Sequence, residues 1–383
     1  MSEYFRSLRT VLVSLRLTVV LLALSIVLVF WATLDQVHLG VWAVQQKFFH
    51  SLFVHVKLGD LQVPVYPGGY LIGGLLLANL VCAHAYRFKA GWRKTGIWIA
   101  HAGLILLLLG ELISGLVQQD YSMRLDEGQT KNYSESNRLN ELAIIEATDP
   151  NFDDVVAIPE SMLARGTVVQ IPKLPFRVVP KGYFQNAQVQ MRSQVPGAPA
   201  SPATSGMGPM VAVTPVEVDY TEEGHNFPSA YVELDGPDGT LGTWVVSPLM
   251  GNPQTFDYAG RTFKIFLRPV RHYQPYSITL EKFSHDIFPG TSIDRNFSSK
   301  IRINPPEGGP GREVLIYMNN PLRYDGLTYY QASFDPETNR TTVLEVVRNP
   351  SWLVPYISCA AIALGLLVQF MIHLAAFAKR RRP

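Results

Sequence analysis

The chain has 383 residues, of which 47% are hydrophobic and 17% charged, and a formal net charge of +2 at pH 7. This composition is too apolar for an ordinary soluble protein and too polar for a transporter built only from helices. It predicts membrane helices joined to a water-soluble domain. No basic patch with interleaved aromatic residues is present, which excludes nucleic acid as an expected partner.

Four stretches pass the length test for a membrane span, which needs about 20 mostly apolar residues. In chain order they cover residues 15–34, 70–86, 96–117 and 352–377. No small-residue cleavage site follows the first stretch, so an uncleaved anchor is predicted rather than a signal peptide. The expected domains are a three-span region (1–117), a large domain (118–350) and a final span with a basic tail (351–383).

Basic residues predict the orientation of these spans. They cluster before the first span, between the second and third, and at the end of the chain: Arg6, Arg9, Arg16, Arg87, Lys89, Arg93, Lys94 and 379–382. Because basic loops remain on the cytoplasmic side, both termini and the short second loop are predicted to be cytoplasmic. The first loop and residues 118–350 are then extracytoplasmic.

Within the first loop, residues 41–56 (VWAVQQKFFHSLFVHV) space their large apolar side chains at roughly helical intervals. The pattern predicts either an amphipathic helix in the membrane interface or a helix packed over the spans.

The large domain is predicted to be β-rich, either a sandwich or an open barrel inserted between the third and fourth spans. Short runs of β-branched and aromatic residues are separated by Gly, Pro, Asn and Asp, without alternation of strands and helices. These runs cover residues 176–184, 229–234, 242–249, 261–270, 276–284, 300–306, 313–318 and 341–347. A Pro/Gly/Ser/Ala tract at about 193–215 is predicted to be a disordered insertion.

No catalytic motif is found in this domain. His225, His272 and His285 are scattered without ligand spacing, so they are predicted to be surface or core-edge residues. Cys82 and Cys359 both lie in apolar runs and the C-x-x-C-H signature is absent, so no covalent haem is expected on this chain.

Ionisable residues inside spans are costly in lipid and are therefore functional candidates. His84, His101 and His373 all lie towards the predicted cytoplasmic side, and for His84 and His373 interface or packing roles remain open. Imidazole is a natural axial ligand of haem iron, which makes His101 the strongest candidate. Glu111 lies about 15 Å further along the same helix, too far to contact the same iron.

Several stretches together resemble the ResB family of system II cytochrome c biogenesis proteins. They are the first span (SLRLTVVLLALSIVLVFWATL), HAGLILLLLGELISG followed by MRLDEGQT, LEKFSHDIFPGTSIDRNFSSKIRI, and NNPLRYDGLTYYQASFDP. The order of three spans, a large outer domain and a final span also resembles the family.

The resemblance implies that haem b, bound non-covalently in transit, is the cofactor. It implies a ResC-type membrane partner with a tryptophan-rich haem-handling motif, apocytochrome c as the acceptor, thiol-reducing proteins of the same pathway, and a bacterial inner-membrane location. The family's intramembrane haem histidine corresponds to His101, while His84 and His373 are alternative ligands if this chain binds haem alone. The expected role is a non-catalytic or co-catalytic subunit of a cytochrome c synthase, with no catalytic residue assigned to this chain.

Two other functions are considered. One is an accessory membrane subunit of a respiratory complex without haem delivery. The other is a sensor or adaptor whose β domain binds a peptide. A sensor or adaptor function does not explain why a histidine lies as deep in a span as His101.

Overall fold

The computed structural model describes residues 9–58, 61–87, 91–149, 152–219, 226–290, 294–306 and 308–380. The chain divides into two compact units. The membrane unit contains residues 1–119, 220–223 and 348–383, and the β unit contains residues 120–219 and 224–347.

The long helices all belong to the membrane unit, and one short helix belongs to the β unit. In chain order they are α1 (Leu15–Val44), α2 (Gly69–Arg87), α3 (Thr95–Val117), the short α4 (Glu160–Ala164) and α5 (Val354–Arg380). Four of them contain segments long and apolar enough to cross a membrane: 15–41, 69–86, 92–117 and 354–379. The four predicted spans are therefore confirmed as apolar helices.

Glycines bring α3 and α5 into backbone contact. Gly96, Gly103 and Gly110 recur every seven residues along α3, and all three are buried. A Cβ at Gly103 would lie 2.9 Å from the Ser358 carbonyl oxygen, and a Cβ at Gly365 would lie 2.6 Å from that of Gly96. Small residues let membrane helices approach this closely, so the stripe sets the packing of α3 on α5.

The amphipathic helix predicted over residues 41–56 is wrong beyond Phe49. Helix α1 is broken at Gly40, whose φ is +75°, and a second helical segment continues to Val44. A π-helical turn covers Gln45–Phe49, and an antiparallel hairpin of β1 (Phe53–Leu58) and β2 (Leu61–Pro67) follows. Phe48 is fully buried, with its ring 5.3 Å from that of Trp31. Burial of Phe48 between the helices favours packing over the spans, which was the alternative interpretation.

The β unit consists almost entirely of strands, which confirms the predicted β-rich class. Its strands are β3 (Gln119–Asp126), β4 (Thr130–Glu146), β5 (Asp154–Pro159), β6 (Arg177–Phe184), β7 (Ala187–Met191), β8 (Val211–Pro215), β9 (Ser229–Gly236), β10 (Gly239–Val246), β11 (Gln254–Tyr258), β12 (Arg261–Ile287), β13 (Asp294–Asn304), β14 (Arg312–Tyr317), β15 (Leu322–Tyr324), β16 (Leu327–Phe334) and β17 (Thr341–Arg348). Strands β3 and β4 are absent from the sequence prediction because their exposed residues are mostly polar.

A ten-stranded sheet organises the β unit around two cores. Its main path is β14-β13-β12-β4-β3-β17-β16-β15, and a smaller sheet has the order β10-β9-β6. The first core includes residues of both sheets, such as Val232 and Phe263, as in a sandwich. In the second core the large sheet curls on itself: Tyr276 on β12 and Tyr329 on β16, which are not neighbouring strands, have hydroxyls 2.8 Å apart.

The Pro/Gly/Ser/Ala tract at about 193–215 has a defined conformation, in contrast to the predicted disorder. The Arg192 guanidinium donates to the carbonyl oxygens of Pro199 (2.6 Å) and Val211 (3.3 Å). Ala203 and Val211 are buried with Val245, and β8 pairs with β7. One arginine thus satisfies carbonyl groups of a segment that has no charge of its own.

Candidate functional site

The structure brings two of the three predicted intramembrane histidines together. His84 lies near the end of α2 and His101 near the start of α3, with their ring centroids 4.8 Å apart. The His84 side chain is buried, at 7% exposure. The Trp98 ring meets the His84 ring edge-on at 4.8 Å, so one face of α3 presents both Trp98 and His101 to α2. Trp98 and His101 are three residues apart, and residues at that spacing lie on the same face of a helix.

The tautomer of His101 follows from its hydrogen bond within α3. Its Nδ1 lies 2.8 Å from the backbone carbonyl oxygen of Ile97. A carbonyl oxygen only accepts, so Nδ1 carries the proton and Nε2 carries the lone pair of the neutral ring. A hydrogen bond to the second ring nitrogen is the usual way in which a protein orients a metal-ligating imidazole.

The spacing of the two rings limits what they do together. Two imidazoles on opposite sides of one iron hold their centroids about 6 Å apart, since each metal–nitrogen bond is about 2 Å long and each centroid lies roughly 1 Å behind its nitrogen. The observed separation of 4.8 Å is shorter than that. In this arrangement the His84 ring packs beside the His101 ring, and the two rings do not face each other across a metal ion.

An open groove adjoins this cluster. It has a volume of ≈530 Å³ and is lined by Gly91, Trp92, Thr95 and Trp98. Trp92 belongs to a 3-10 turn, Trp92–Lys94, that leads into α3 and leaves its side chain 86% exposed. Two tryptophans therefore offer flat apolar surface next to the histidine pair.

His373 belongs to a second polar cluster at the same end of α3. The Gln369 side-chain amide donates to His373 Nε2 (2.9 Å) and to the Arg93 carbonyl oxygen (3.1 Å). Its Oε1 accepts from the Ile97 N–H at 3.3 Å. Gln369 thereby caps the first turn of α3, where backbone N–H groups have no partner within the helix. Ile97 connects the two clusters, because its carbonyl group holds His101.

Three of these residues were missed by sequence reasoning: Trp98, Gln369 and Asn79. Asn79 on α2 is buried, accepts from Thr18 Oγ1 (2.6 Å) and donates to the Leu12 carbonyl oxygen (2.6 Å). Polar amides within apolar spans are the signal that could have pointed to Asn79 and Gln369.

Glu111 is separated from all of these residues. It is exposed on α3, and the described part of the chain supplies it with no hydrogen bond or ion pair. It thus remains the one carboxylate of α3 whose role the fold does not explain.

The histidines of the β unit do not gather into a site. His272 stacks on Tyr121 with centroids 5.2 Å apart, and His285 packs on Phe334 at 4.5 Å, while His225 lies outside the described residues. Across the described ranges no three His, Cys, Asp or Glu side chains are grouped to hold a metal ion. Cys82 and Cys359 are both unbridged.

Comparisons with known proteins find one matching family model and several similar proteins. The ResB-like family model matches residues 254–341, from the start of β11 to the start of β17. Protein NrfI of Wolinella succinogenes is 31% identical over 93 residues, which is 24% of this chain and 10% of that protein.

Two cytochrome c biogenesis proteins named CcsB are also similar to this chain. The one from a Synechococcus species is 43% identical over 58 residues, and the one from a Picosynechococcus species is 38% identical over 61 residues. These matches cover 15% and 16% of this chain and 13% of each relative. All of the matched stretches therefore span only a small part of the relatives' lengths. The resemblance noted in the sequence is confirmed, and the chain carries a ResB-like region from residue 254 to residue 341.

Proposed function

We propose that this protein is a subunit of a cytochrome c biogenesis system that handles haem within the membrane. The observation that carries the proposal is His101, an imidazole inside an apolar span whose tautomer is set by the Ile97 carbonyl oxygen. The names of the relatives, cytochrome c biogenesis protein CcsB, support the same pathway.

Haem is the cargo in this proposal. Imidazole binds haem iron as an axial ligand, and the His101 Nε2 lone pair is the atom that would do so. Trp98 and Trp92 supply apolar aromatic surface against which a macrocycle would rest. The chain's own contribution is to orient one ligand and to shield one side of the iron from water.

The second axial ligand would come from the partner. His84 is too close to His101 to face it across an iron, and His373 is held by Gln369. A ResC-type membrane protein with a tryptophan-rich haem-handling motif is the partner implied by the resemblance. Apocytochrome c would then receive the haem at C-x-x-C-H sites that the thiol-reducing proteins of the pathway keep reduced.

The proposed location is the bacterial inner membrane, with both termini cytoplasmic and the β unit extracytoplasmic. Arg93 and Lys94 at the start of α3 and Lys379 near the end of α5 support this orientation. The histidine cluster then lies on the cytoplasmic side, where haem would enter.

The role proposed for this chain is co-catalytic at most, because no nucleophile or acid–base pair is assigned to haem attachment. An accessory subunit of a respiratory complex is the competing function. The names of the relatives favour biogenesis over that alternative.

The test is haem content measured by absorption spectroscopy on the purified full chain, alone and with its partner. His101→Ala should lose most of the Soret absorbance, and the matched control His38→Ala, an exposed histidine in α1, should keep it. Added imidazole should restore the band to His101→Gly by replacing the lost ligand. Equal haem content in wild type and His101→Ala would overturn the assignment.

A further inference from the structure

Helix α2 begins beside the middle of α1 and not beside its outer end. The two helices are antiparallel, and the Thr18 hydroxyl on α1 donates to the Asn79 side chain on α2 at 2.6 Å. Gly69, the first residue of α2, precedes Asn79 by ten residues, and Leu28 follows Thr18 by ten. Because both helices rise by the same distance per residue, Gly69 is level with Leu28.

The apolar part of α1 continues beyond this level. From Leu28 to Leu34, the end of the span predicted from the sequence, the helix rises by about 9 Å. Phe30 and Leu34 are both exposed. The first charged residue, Asp35, is paired with Lys47 at 2.7 Å. A membrane boundary at the start of α2 would leave this apolar surface in water, so the apolar region of the bilayer extends to about the level of Leu34.

The β1–β2 hairpin lies at this same level. The Tyr66 hydroxyl donates to the Leu24 carbonyl oxygen at 3.1 Å, and the Tyr66 ring centroid is 6.2 Å from that of Trp31. Val54, paired with Tyr66 across the hairpin, is fully buried in the apolar cluster that contains Leu28. The base of the hairpin therefore packs against the part of α1 that the bilayer surrounds.

Strand β2 leaves a row of aliphatic side chains uncovered. Leu61 is 71% exposed, Val63 36% and Val65 46%. An exposed apolar patch of this kind marks a surface that contacts another apolar phase or molecule. The patch lacks the tryptophan, tyrosine and arginine anchors that dominate protein–protein contacts, and it continues the exposed apolar surface of α1.

We infer that the β1–β2 hairpin inserts into the bilayer leaflet farther from Arg16 and places β2 against lipid acyl chains. Strand β2 pairs only with β1, so one of its edges has backbone groups without a strand partner, although Pro64 has no N–H to leave unpaired. Such an edge is not tolerated deep in hydrocarbon, which limits the insertion to the boundary of headgroups and acyl chains, about 5–10 Å deep. The charged residues of the hairpin sequence, Lys57 and Asp60, adjoin its turn, where headgroups and water solvate them.

The experiment measures the surroundings of a nitroxide label on β2. The full chain, with Cys82→Ser and Cys359→Ser, is reconstituted alone into vesicles of phosphatidylethanolamine and phosphatidylglycerol and labelled through Val63→Cys. Electron paramagnetic resonance then gives the collision rates of the label with oxygen, which concentrates in the bilayer, and with a nickel chelate, which stays in water. Ile26→Cys on α1 is the lipid-facing reference, and Leu315→Cys on β14 is the control for an exposed apolar residue of the β unit.

The ratio of oxygen to nickel collisions should be several-fold higher at position 63 than at position 315, and close to the ratio at position 26. Equal ratios at positions 63 and 315 would overturn the inference, because the strand would then face water. Low collision rates with both reagents would also overturn it, because a second copy or another part of the chain would then cover the strand. If Val63→Cys lowers the unfolding temperature, Leu61→Cys on the same strand decides the result. The vesicles contain neither haem nor a partner protein, so the outcome is independent of the proposed function.

Discussion

Gly96 on α3 and Gly365 on α5 lie in backbone contact, so that a Cβ on Gly365 would come within 2.6 Å of the Gly96 carbonyl oxygen. This contact holds the helix that carries His101 against the last helix of the chain. It also places Gln369, one turn beyond Gly365, at the first turn of α3.

Gly365→Val should therefore separate α3 from α5 and lower the stability of the membrane unit by about 1–3 kcal/mol, the usual cost of overpacking. The measurement is thermal unfolding in detergent. Gly73→Ala is the matched control, because a Cβ there meets nothing within 4 Å. Equal unfolding temperatures for the two variants would contradict the close packing.

His84→Ala should weaken haem binding about tenfold, as is typical of residues that orient a metal ligand, without moving the Soret maximum. The physical reason is the 4.8 Å spacing of the rings, which places His84 beside the ligand proposed above, at too short a distance to face it across an iron. The check is a haem titration of the purified chain. A shifted maximum would show that His84 binds the iron.

The β unit should be less stable in acid, because the stabilising contribution of the Glu127 carboxylate is lost there. Its Oε1 accepts from the Phe283 backbone N–H (3.0 Å) and its Oε2 accepts from the Arg340 guanidinium (3.0 Å). These donors, the Phe283 N–H first, hold the pKa of Glu127 below its ordinary value. A carboxyl with a lowered native pKa stabilises the fold above its unfolded-state pKa, and this contribution is lost as the pH falls through the native value.

Glu127→Gln should accordingly lower the unfolding temperature at pH 7, and its difference from wild type should shrink as the pH falls through the lowered native pKa of the carboxyl. The measurement is a series of thermal melts from pH 7 into the acid range. A difference that stays constant with pH would exclude the charged hydrogen bonds as its cause.

Arg192→Ala should make the Pro/Gly/Ser/Ala tract at about 193–215 less ordered. Its guanidinium donates to the carbonyl oxygens of Pro199, Pro209 and Val211, and these bonds tie two separate parts of the tract to one side chain. The expected result is faster cleavage between residues 193 and 215 in limited proteolysis. Arg165→Ala, an exposed arginine elsewhere in the β unit, is the control, and identical cleavage rates in the two variants would be inconsistent with this role of Arg192.

Parts of the β unit could be predicted from local sequence and parts could not. Residues 313–318 and 341–347 were recognisable because they are short runs rich in β-branched and aromatic residues, and both lie in strands of the structure. The tract at 193–215 was misjudged because its order depends on Arg192, a residue just outside it. The hairpin at residues 53–67 was misjudged because Phe48 and Val54 are buried by tertiary contacts, and their spacing alone fits a helix as well as a strand.

By itself, the sequence determined the four apolar helices and the β-rich domain and made His101 the first candidate for a haem ligand, because hydropathy and the cost of an ionisable group in lipid are properties of each residue and its near neighbours. Only the tertiary structure decided that His84 lies beside His101 and that Gln369 caps α3. Those outcomes depend on the register and rotation of helices far apart in the chain. Helix rotation and register follow from backbone contacts such as that between Gly96 and Gly365, which no local pattern specifies.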